Sequence, residues 1–450
     1  MVAGDVDVPV PHFALLRPCR VELPVSLGQA EREFWLRLVD NVAIQLEAYG
    51  SARRPGRAAQ LVDSGPPLEP TRQPAAGNRD AVAFSGGKDS TVLAALAAEL
   101  TDRPLLVMIT SPVPWARDHV GVARDVARTE IAKRLPVELV EVTSDFRTAW
   151  EISFSQRDGS TLGVHEVSDL PLFQASIAAV AAMAGISRCL MASEADAQYN
   201  VSFGDRVLLQ RDFMYSAVTQ GALDALLQPW GIRQGSLTYP LHVPQVEALL
   251  LRRYRKLADL QFSCWRAPDG MRACSACPKC SEIALFALAE GVSPRKVGID
   301  PIRALGFLAD RRVDARWSGL EPPIHEHRAP QHHVVHAVQA TSSQRVAEIL
   351  AKDTPANAAE RLGEALAIYA RLRAEALALT VPPAPGFVTD FLDLVPADLR
   401  QRLGSILAEH FRVTSEPEFE AMTERARALT AWIAEPLRAG SRWKLWRRHR

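Results

Sequence analysis

The sequence lacks an excess of charge of either sign, and it lacks a hydrophobic run long enough to cross a membrane. Lys and Arg together number 52, as do Asp and Glu, so the formal net charge is zero. No overall field therefore attracts the chain to nucleic acid or to an anionic membrane surface. The longest apolar stretch, residues 172–185, is shorter than the roughly 20 residues of a membrane-spanning helix, and it predicts a buried helix. The first residues lack a basic segment followed by an apolar one, so we expect no secretory signal, a cytoplasmic location and no membrane partner.

Cysteine is scarce, and its distribution is uneven. Cys19 and Cys189 stand alone in the sequence, and we expect both to be ordinary apolar core residues. The other four fall close together, and they are Cys264, Cys274, Cys277 and Cys280. Such clustering in a chain without a secretory signal favours a metal over disulfides. Four thiolates can surround one Zn²⁺ and leave no position for water, which predicts a structural zinc site. An iron–sulfur cluster is the alternative.

A glycine-rich turn joins an apolar run to a helical pattern near residue 85. Residues 81–84 predict a short buried strand, and residues 91–100 carry apolar side chains at helical spacing. Between them the sequence from Ser85 to Ser90 is SGGKDS. A turn between a strand and a helix N-terminus presents backbone N–H groups and the positive end of the helix dipole. Glycine also lets a phosphate approach the backbone closely, so the turn predicts a phosphate site.

Strand and helix patterns alternate after this turn. Strands are predicted at residues 105–110, 137–142, 188–192 and 236–241, and helices at 120–134, 170–184, 205–227 and 243–258. This alternation predicts an α/β fold with a parallel, doubly wound sheet. We expect residues 1–76 to form an N-terminal extension and linker, residues 77–292 the α/β domain, and residues 293–450 a mostly helical C-terminal domain.

The turn resembles the PP-loop of the N-type ATP pyrophosphatases, S-G-G-x-D-S, at every fixed position. A Walker A loop is excluded because it needs Ser or Thr after the lysine, where this chain has Asp89. The resemblance implies that ATP is split between its α- and β-phosphates and that AMP is transferred to a carbonyl or carboxylate oxygen. It assigns catalysis to Ser85, Lys88, Asp89 and Ser90, and ATP binding to these four with Gly86, Gly87 and Thr110. Asp89 would help to hold Mg²⁺.

A PP-loop followed by four clustered cysteines resembles one branch, the 7-cyano-7-deazaguanine synthases of the QueC family, over about residues 80–292. Further matching patterns are LMASEADAQYN, at residues 190–200, and GDRVLLQRDF, at residues 204–213. The resemblance implies a HUP (adenine nucleotide α-hydrolase-like) fold with ATP, Mg²⁺ and Zn²⁺ as cofactors. Its substrate is 7-carboxy-7-deazaguanine, whose carboxylate becomes an acyl-adenylate. Ammonia converts this adenylate to an amide, which a second ATP dehydrates to a nitrile. It assigns substrate binding to Glu194, Asp196, Tyr199 and Arg211.

The chain has 450 residues, about twice the length of stand-alone synthases, and so resembles the larger QatC-like proteins of bacterial defence operons. That resemblance implies attack by a protein amine, with an operon-encoded protein as partner. The alternatives are a homodimer stabilised by the extensions that releases a free nitrile, a tRNA-modifying PP-loop enzyme of the thiolase type, and a non-catalytic nucleotide-binding scaffold.

A segment rich in proline and histidine, residues 321–340, predicts a connector. Its histidines are His325, His327, His332, His333 and His336. A second metal site is the alternative, but the flanking prolines favour a mobile connector.

Overall fold

The computed structural model describes residues 20–23, 26–29, 31–34, 60–63, 65–66, 79–110, 121–143, 164–198, 200–203, 206–209, 217–264, 267, 271–308, 331–378, 386–415 and 417–418. The strands are β1 (Arg20–Leu23), β2 (Gln60–Asp63), β3 (Asp80–Ala83), β4 (Leu105–Thr110), β5 (Glu138–Thr143), β6 (Arg188–Leu190), β7 (Asn200–Phe203), β8 (Arg206–Leu209), β9 (Arg233–Gly235), β10 (Phe387–Val388) and β11 (Val413–Thr414).

The helices are α1 (Lys88–Leu100), α2 (Gly121–Arg134), α3 (Val164–Ala184), α4 (Ala217–Leu227), α5 (Val243–Arg252), α6 (Pro278–Ala289), α7 (Pro301–Gly306), α8 (Gln331–Ala340), α9 (Ser343–Asp353), α10 (Ala359–Leu377) and α11 (Arg400–Ala408). Among the residues that the structure describes, no helix is long and apolar enough to cross a membrane.

A five-stranded parallel sheet organises the α/β part of the chain, as the alternating patterns predict. Its strand order is β5-β4-β3-β6-β9, and each neighbouring pair is parallel. The chain moves outward from β3 through β4 and β5, and α3 then returns it to β6 on the other side of β3. Open α/β sheets bind ligands where the connections diverge in this way. The predicted phosphate turn follows β3 and therefore lies at this switch point.

Helices cover both faces of the sheet because its strands alternate their side chains between two apolar layers. On one face Val82, Leu106 and Leu190 pack in one core with the buried side chains of α1 and α5. On the other face Ala81 and Cys189 pack with buried side chains of α3 and α4. Cys189 is thus an isolated core residue, as predicted, and Cys19 lies outside the described residues.

The described part of the C-terminal region is mainly helical, and it makes two separate contacts. Helices α7 to α10 pack around α6, where Phe286, Val338 and Tyr369 share one core. Residues 386–415 instead contribute side chains such as Leu403 to the core of the α/β part. The predicted domain boundaries stay predictions, because a shared core does not define where a domain begins.

Two of the predicted elements in the α/β part are wrong. Residues 236–241 are not a strand, because the strand is β9 and the hydroxyl groups of Ser236 and Thr238 bond to the backbone of Ser193 instead of extending the ladder. The helix predicted at 205–227 begins only at Ala217, since β7 and β8 form an antiparallel hairpin. A two-residue Gly-Asp connection between them is a sequence signal for such a hairpin.

Two further predictions are wrong in regions expected to be irregular. Residues 331–340 form α8 rather than a connector, because the prolines end at residue 330 and Val334, Val335 and Val338 then recur on an apolar helical face. In the predicted N-terminal linker, residues 60–63 form β2, which pairs in parallel with β1. The C-terminal region, which was predicted to be mostly helical, contains α9, α10 and α11.

Candidate functional site

The predicted phosphate turn has a fixed backbone conformation. Gly86 has φ +82°, a left-handed value that favours glycine. A Cβ at this position would overlap the aromatic ring of Phe262. Gly87 is the N-cap of α1, and its carbonyl accepts the Thr91 N–H at 2.9 Å. Both glycines of the turn are therefore tied to specific geometry, one by its φ and close packing and the other by its position at the helix start.

Two hydroxyl groups of the turn face each other. The Oγ atoms of Ser85 and Ser90 lie 3.1 Å apart, and the Ser90 Oγ donates to the Gly87 carbonyl at 3.1 Å. Ser85 is exposed, whereas Ser90 is buried. The pair lies at the N-terminal end of a 13-residue helix, where the helix dipole favours a bound anion.

A short segment that precedes the first cysteine lies against the turn. The Phe262 N–H donates to the Gly86 carbonyl at 2.9 Å, and the Ser263 Oγ accepts the Lys88 N–H at 3.3 Å. Cys264 follows directly. We call residues 261–264 the strap. It connects the cysteine cluster to the phosphate turn, which sequence spacing alone does not predict.

Lys88 and Asp89 form an ion pair at the start of α1. Lys88 is almost fully buried, and although burial opposes its charge, Asp89 and Glu194 raise the pKa of Lys88 to about 12. Burial likewise opposes a charge on Asp89, but Lys88 and a contact with Glu194 hold the pKa of Asp89 well below its usual value. The carboxyl groups of Asp89 and Glu194 thus meet beside the turn. Two adjoining carboxylates are a common arrangement for Mg²⁺.

Two buried acids surround this ion pair, and neither was predicted from the sequence. Burial raises the pKa of Glu247 to about 7, while Lys88 and a hydrogen bond from Gln261 oppose that rise. Burial also raises the pKa of Glu282, with Lys279 opposing it. A sequence signal existed for Glu247, since it interrupts the apolar face of α5.

Thr110 is buried at the end of β4, next to the strand that leads into the turn. Its hydroxyl donates to Glu141 of β5 at 2.8 Å. That bond directs the hydroxyl toward the neighbouring strand β5.

The four predicted cysteine ligands converge on one point. Their sulfur atoms all lie within 4.8 Å of one another, and all four side chains are buried. The Sγ atoms of Cys274 and Cys280 are 3.8 Å apart. Four sulfurs placed tetrahedrally around zinc at about 2.3 Å would be separated by about 3.8 Å. The cluster can therefore hold a metal ion such as zinc.

Backbone N–H groups surround the cysteine sulfurs. The Cys274 N–H donates to the Cys264 Sγ at 3.3 Å, and the Cys280 N–H donates to the Cys277 Sγ at 3.4 Å. Cys277 is also the N-cap of α6. Such bonds stabilise thiolates and orient metal ligands, so the local backbone suits an ion in this loop.

The four predicted substrate residues do not all lie beside the phosphate turn in the part of the chain that the structure describes. Glu194 is beside the phosphate turn, as its interaction with Asp89 indicates. Asp196 is buried, and its carboxylate bonds to His242 and His333. Tyr199 and Arg211 lie outside the described residues. Of the predicted histidines, His325 and His327 also lie outside them, and His333 contacts Asp196.

Comparison with protein-family models gives no match, and no curated protein sequence matches this chain.

Proposed function

We propose that the α/β part is an N-type ATP pyrophosphatase with a HUP-like fold, which adenylates a carboxylate of the 7-carboxy-7-deazaguanine type and passes the acyl group to an amine. The observation that carries the proposal is the turn from Ser85 to Ser90. It lies at the switch point of a parallel sheet and at a helix N-terminus, with facing hydroxyls and a buried lysine–aspartate pair. These features suit the binding of a pyrophosphate group.

The reaction that fits this turn has two steps. A substrate carboxylate oxygen attacks the α-phosphorus of ATP, the bond to the bridging oxygen breaks, and pyrophosphate leaves. The amine nitrogen then attacks the acyl carbon, AMP leaves with the electrons of the carbon–oxygen bond, and the amine loses a proton to solvent. A free carboxylate is a poor electrophile, so activation by AMP is what makes the amide accessible. In a nitrile product the amide would be dehydrated with a second ATP.

The residues of the turn have separate roles in the proposal. On binding, the hydroxyls of Ser85 and Ser90 would turn from the bonds that they make within the turn and donate to the departing pyrophosphate, while the charge of Lys88 offsets its negative charge. Gly86 and Gly87 let the phosphates approach the backbone. Asp89 would help to hold Mg²⁺, which would supply further charge neutralisation at the leaving group.

The substrate class rests on the sequence resemblance and on the position of Glu194. A guanine-like edge presents N–H donors, and a carboxylate near the phosphate turn can accept them. Asp196, Tyr199 and Arg211 remain predicted substrate residues. Zn²⁺ in the cysteine cluster would have a structural role, since four thiolates leave no position for a reacting water.

The test is to incubate the full-length chain with ATP, Mg²⁺, 7-carboxy-7-deazaguanine and ammonium, and to separate the nucleotides. We expect AMP and pyrophosphate, together with an amide or nitrile of the deazaguanine. Asp89→Asn should reduce AMP formation by about 100-fold or more, because it removes charge from the predicted Mg²⁺ ligand. Asp102→Asn is the matched control, since Asp102 is exposed just beyond the other end of α1, and it should keep full activity. Formation of ADP and phosphate, or full activity of Asp89→Asn, would contradict the proposal.

The more specific form of the proposal has a protein amine as acceptor, in a bacterial defence system. Its basis is the length of the chain beyond the α/β part. Mass spectrometry of operon-encoded proteins, produced with and without this chain, should find an added deazapurine mass that disappears with Asp89→Asn. Efficient release of free nitrile with no partner protein present would favour the alternative, a synthase that releases free 7-cyano-7-deazaguanine for queuosine biosynthesis.

A further inference from the structure

A second group of metal-binding side chains lies in the core, and it shares no residue with the cysteine cluster. Asp196 follows β6 in a single helical turn, His242 is the N-cap of α5, and His333 is in α8. One carboxylate oxygen and one nitrogen of each ring all lie within 4.8 Å of one another. The three side chains are only 3%, 0% and 2% exposed. The fold thus brings two imidazoles and a carboxylate together away from solvent.

The ligand atoms of this group are close enough together to reach a common ion. The Asp196 Oδ1 is 2.9 Å from the His242 Nδ1 and 2.9 Å from the His333 Nε2. Two ligand atoms bound to one zinc at about 2.0–2.1 Å are separated by about 2.9 Å at a right angle and about 3.4 Å at the tetrahedral angle. The other oxygen, Oδ2, accepts the Val243 N–H at 2.7 Å. That bond orients the carboxylate with Oδ1 toward the rings, as outer partners of metal ligands do.

The burial of the Asp196 carboxylate favours a cation. Asp196 is almost fully buried, and a buried charge is costly unless it is paired or coordinates a metal. A divalent ion between this carboxylate and the two imidazoles would offset that cost.

We propose that Asp196, His242 and His333 bind a divalent transition-metal ion, with zinc as the first candidate, in addition to the ion of the cysteine cluster. Two imidazoles and one carboxylate are ligands that zinc and other first-row divalent ions accept. The site would be structural, because its ligands are buried and come from both halves of the molecule. It joins α8, which packs on α6, to the end of β6 and the start of α5.

This inference does not depend on the proposed adenylation. The metal would fasten the C-terminal helices to the sheet whether or not the turn binds ATP. It also gives Asp196 a position that differs from the predicted contact with a nucleobase. The two assignments make different predictions for the metal content of an Asp196 variant, because substitution of Asp196 would lower the metal content only if Asp196 is a metal ligand.

The test is elemental analysis of the full-length protein, dialysed against Zn²⁺ and then freed of loosely bound metal. We expect two metal ions per chain in the natural protein and one in His333→Gln, which keeps a polar side chain of similar length. His336→Gln, one turn further along α8 and half-buried, is the matched control and should retain two. Reconstitution with Co²⁺ should give sulfur-to-cobalt charge-transfer bands in all three proteins, because the cysteine cluster is unchanged.

One ion in the natural protein, with the same value in His333→Gln, would overturn the proposal. The three side chains would then be a hydrogen-bonded network in which both rings donate to Asp196. If His333→Gln fails to fold, zinc X-ray absorption of the natural protein decides the question without a variant. Nitrogen or oxygen neighbours at about 2.0 Å beside sulfur at about 2.3 Å would support the second site, and sulfur alone would overturn it.

Discussion

The two candidate metal sites differ in how far along the chain their ligands lie. The cysteine cluster takes all four ligands from residues 264–280, whereas Asp196 and His333 are 137 positions apart. Closing a short loop costs less conformational entropy than closing a long one. An ion can therefore order the cysteine loop by itself, but the Asp196–His242–His333 group requires the sheet and α8 to be packed already.

The two sites also support different parts of the molecule. The cysteine cluster continues into the strap, whose backbone and Ser263 hydroxyl bond to the phosphate turn. The Asp196–His242–His333 group instead holds α8 against the ends of β6 and α5. Loss of the first ion should therefore affect the chemistry at the turn, and loss of the second should affect the attachment of the C-terminal helices.

The largest effect is expected from Cys277→Ser. It removes one thiolate ligand and alters the N-cap of α6, so the ion should be lost and the strap should detach from the turn. We expect the zinc content to fall by one ion per chain and AMP formation to fall at least tenfold, because the binding energy of a structural zinc is also folding energy.

Cys189→Ser is the matched control, since Cys189 is equally buried but isolated in the core. It should leave both the zinc content and AMP formation close to those of the natural protein. His333→Gln should keep the cysteine-bound ion and most of the activity. If Cys277→Ser lost its zinc and remained fully active, the strap would not depend on the ion.

The second-largest effect is expected from Gly86→Ala. This substitution disturbs the contact between the strap and the phosphate turn by changing a residue of the turn. An alanine at φ +82° is strained by about 1–2 kcal/mol, and its Cβ would overlap the Phe262 ring. Overpacking of this kind typically adds about 1–3 kcal/mol. We therefore expect a free energy of unfolding lower by about 3 kcal/mol, measured by chemical denaturation, together with weaker ATP binding.

Gly185→Ala separates the two causes. Gly185 has φ +69°, and an added Cβ would meet no atom within 4 Å, so this variant carries the backbone strain without the overlap. It should lose only about 1 kcal/mol. Equal losses in the two variants would show that the strap does not press on the turn.

Features that neighbouring residues determine were predictable from the sequence, and features that distant residues determine were not. Six consecutive residues placed the phosphate turn after β3, and the apolar run at residues 105–110 gave the exact bounds of β4. The spacing of the four cysteines likewise predicted their convergence, because the short loops between them keep all four sulfurs close enough to bind the same ion. In each case the information lies within a few residues.

The Asp196–His242–His333 group had no comparable local signal. His242 was unremarkable before a helix, and His333 belonged to a segment whose composition favoured a connector. His333 is buried because the valines of α8 pack on α6, which is a tertiary effect. The strand predicted at 236–241 failed for a similar reason, since hydroxyl groups replaced the ladder partners that a strand would need.

The smallest effect is expected from Glu247→Gln, a substitution between the two sites. Glu247 is on α5, whose N-cap is His242, and it accepts a hydrogen bond from Gln261 of the strap at 2.7 Å. Burial raises the pKa of this carboxyl from its usual value of 4.5 to about 7. The folded protein therefore binds more protons than the unfolded chain between these values, and its stability falls as the pH rises through that window. Glutamine cannot ionise and still accepts the Gln261 bond. From pH 5 to pH 8, the free energy of unfolding of the variant should therefore rise relative to that of the natural protein by on the order of 2 kcal/mol.

The measurement is the thermal unfolding midpoint of each variant and of the natural protein between pH 5 and pH 8. Glu99→Gln is a control for which the pH dependence should have the opposite sign. A hydrogen bond from Arg253 lowers the pKa of Glu99, with Tyr254 adding to it. Its ionised form therefore stabilises the folded protein above the unfolded pKa, and this contribution is lost as the pH falls. Glu99→Gln should be less stable than the natural protein at neutral pH and approach it in acid. If the difference between Glu247→Gln and the natural protein did not change from pH 5 to pH 8, the carboxyl would already be ionised in the folded state, and a cation near it would have to offset its burial.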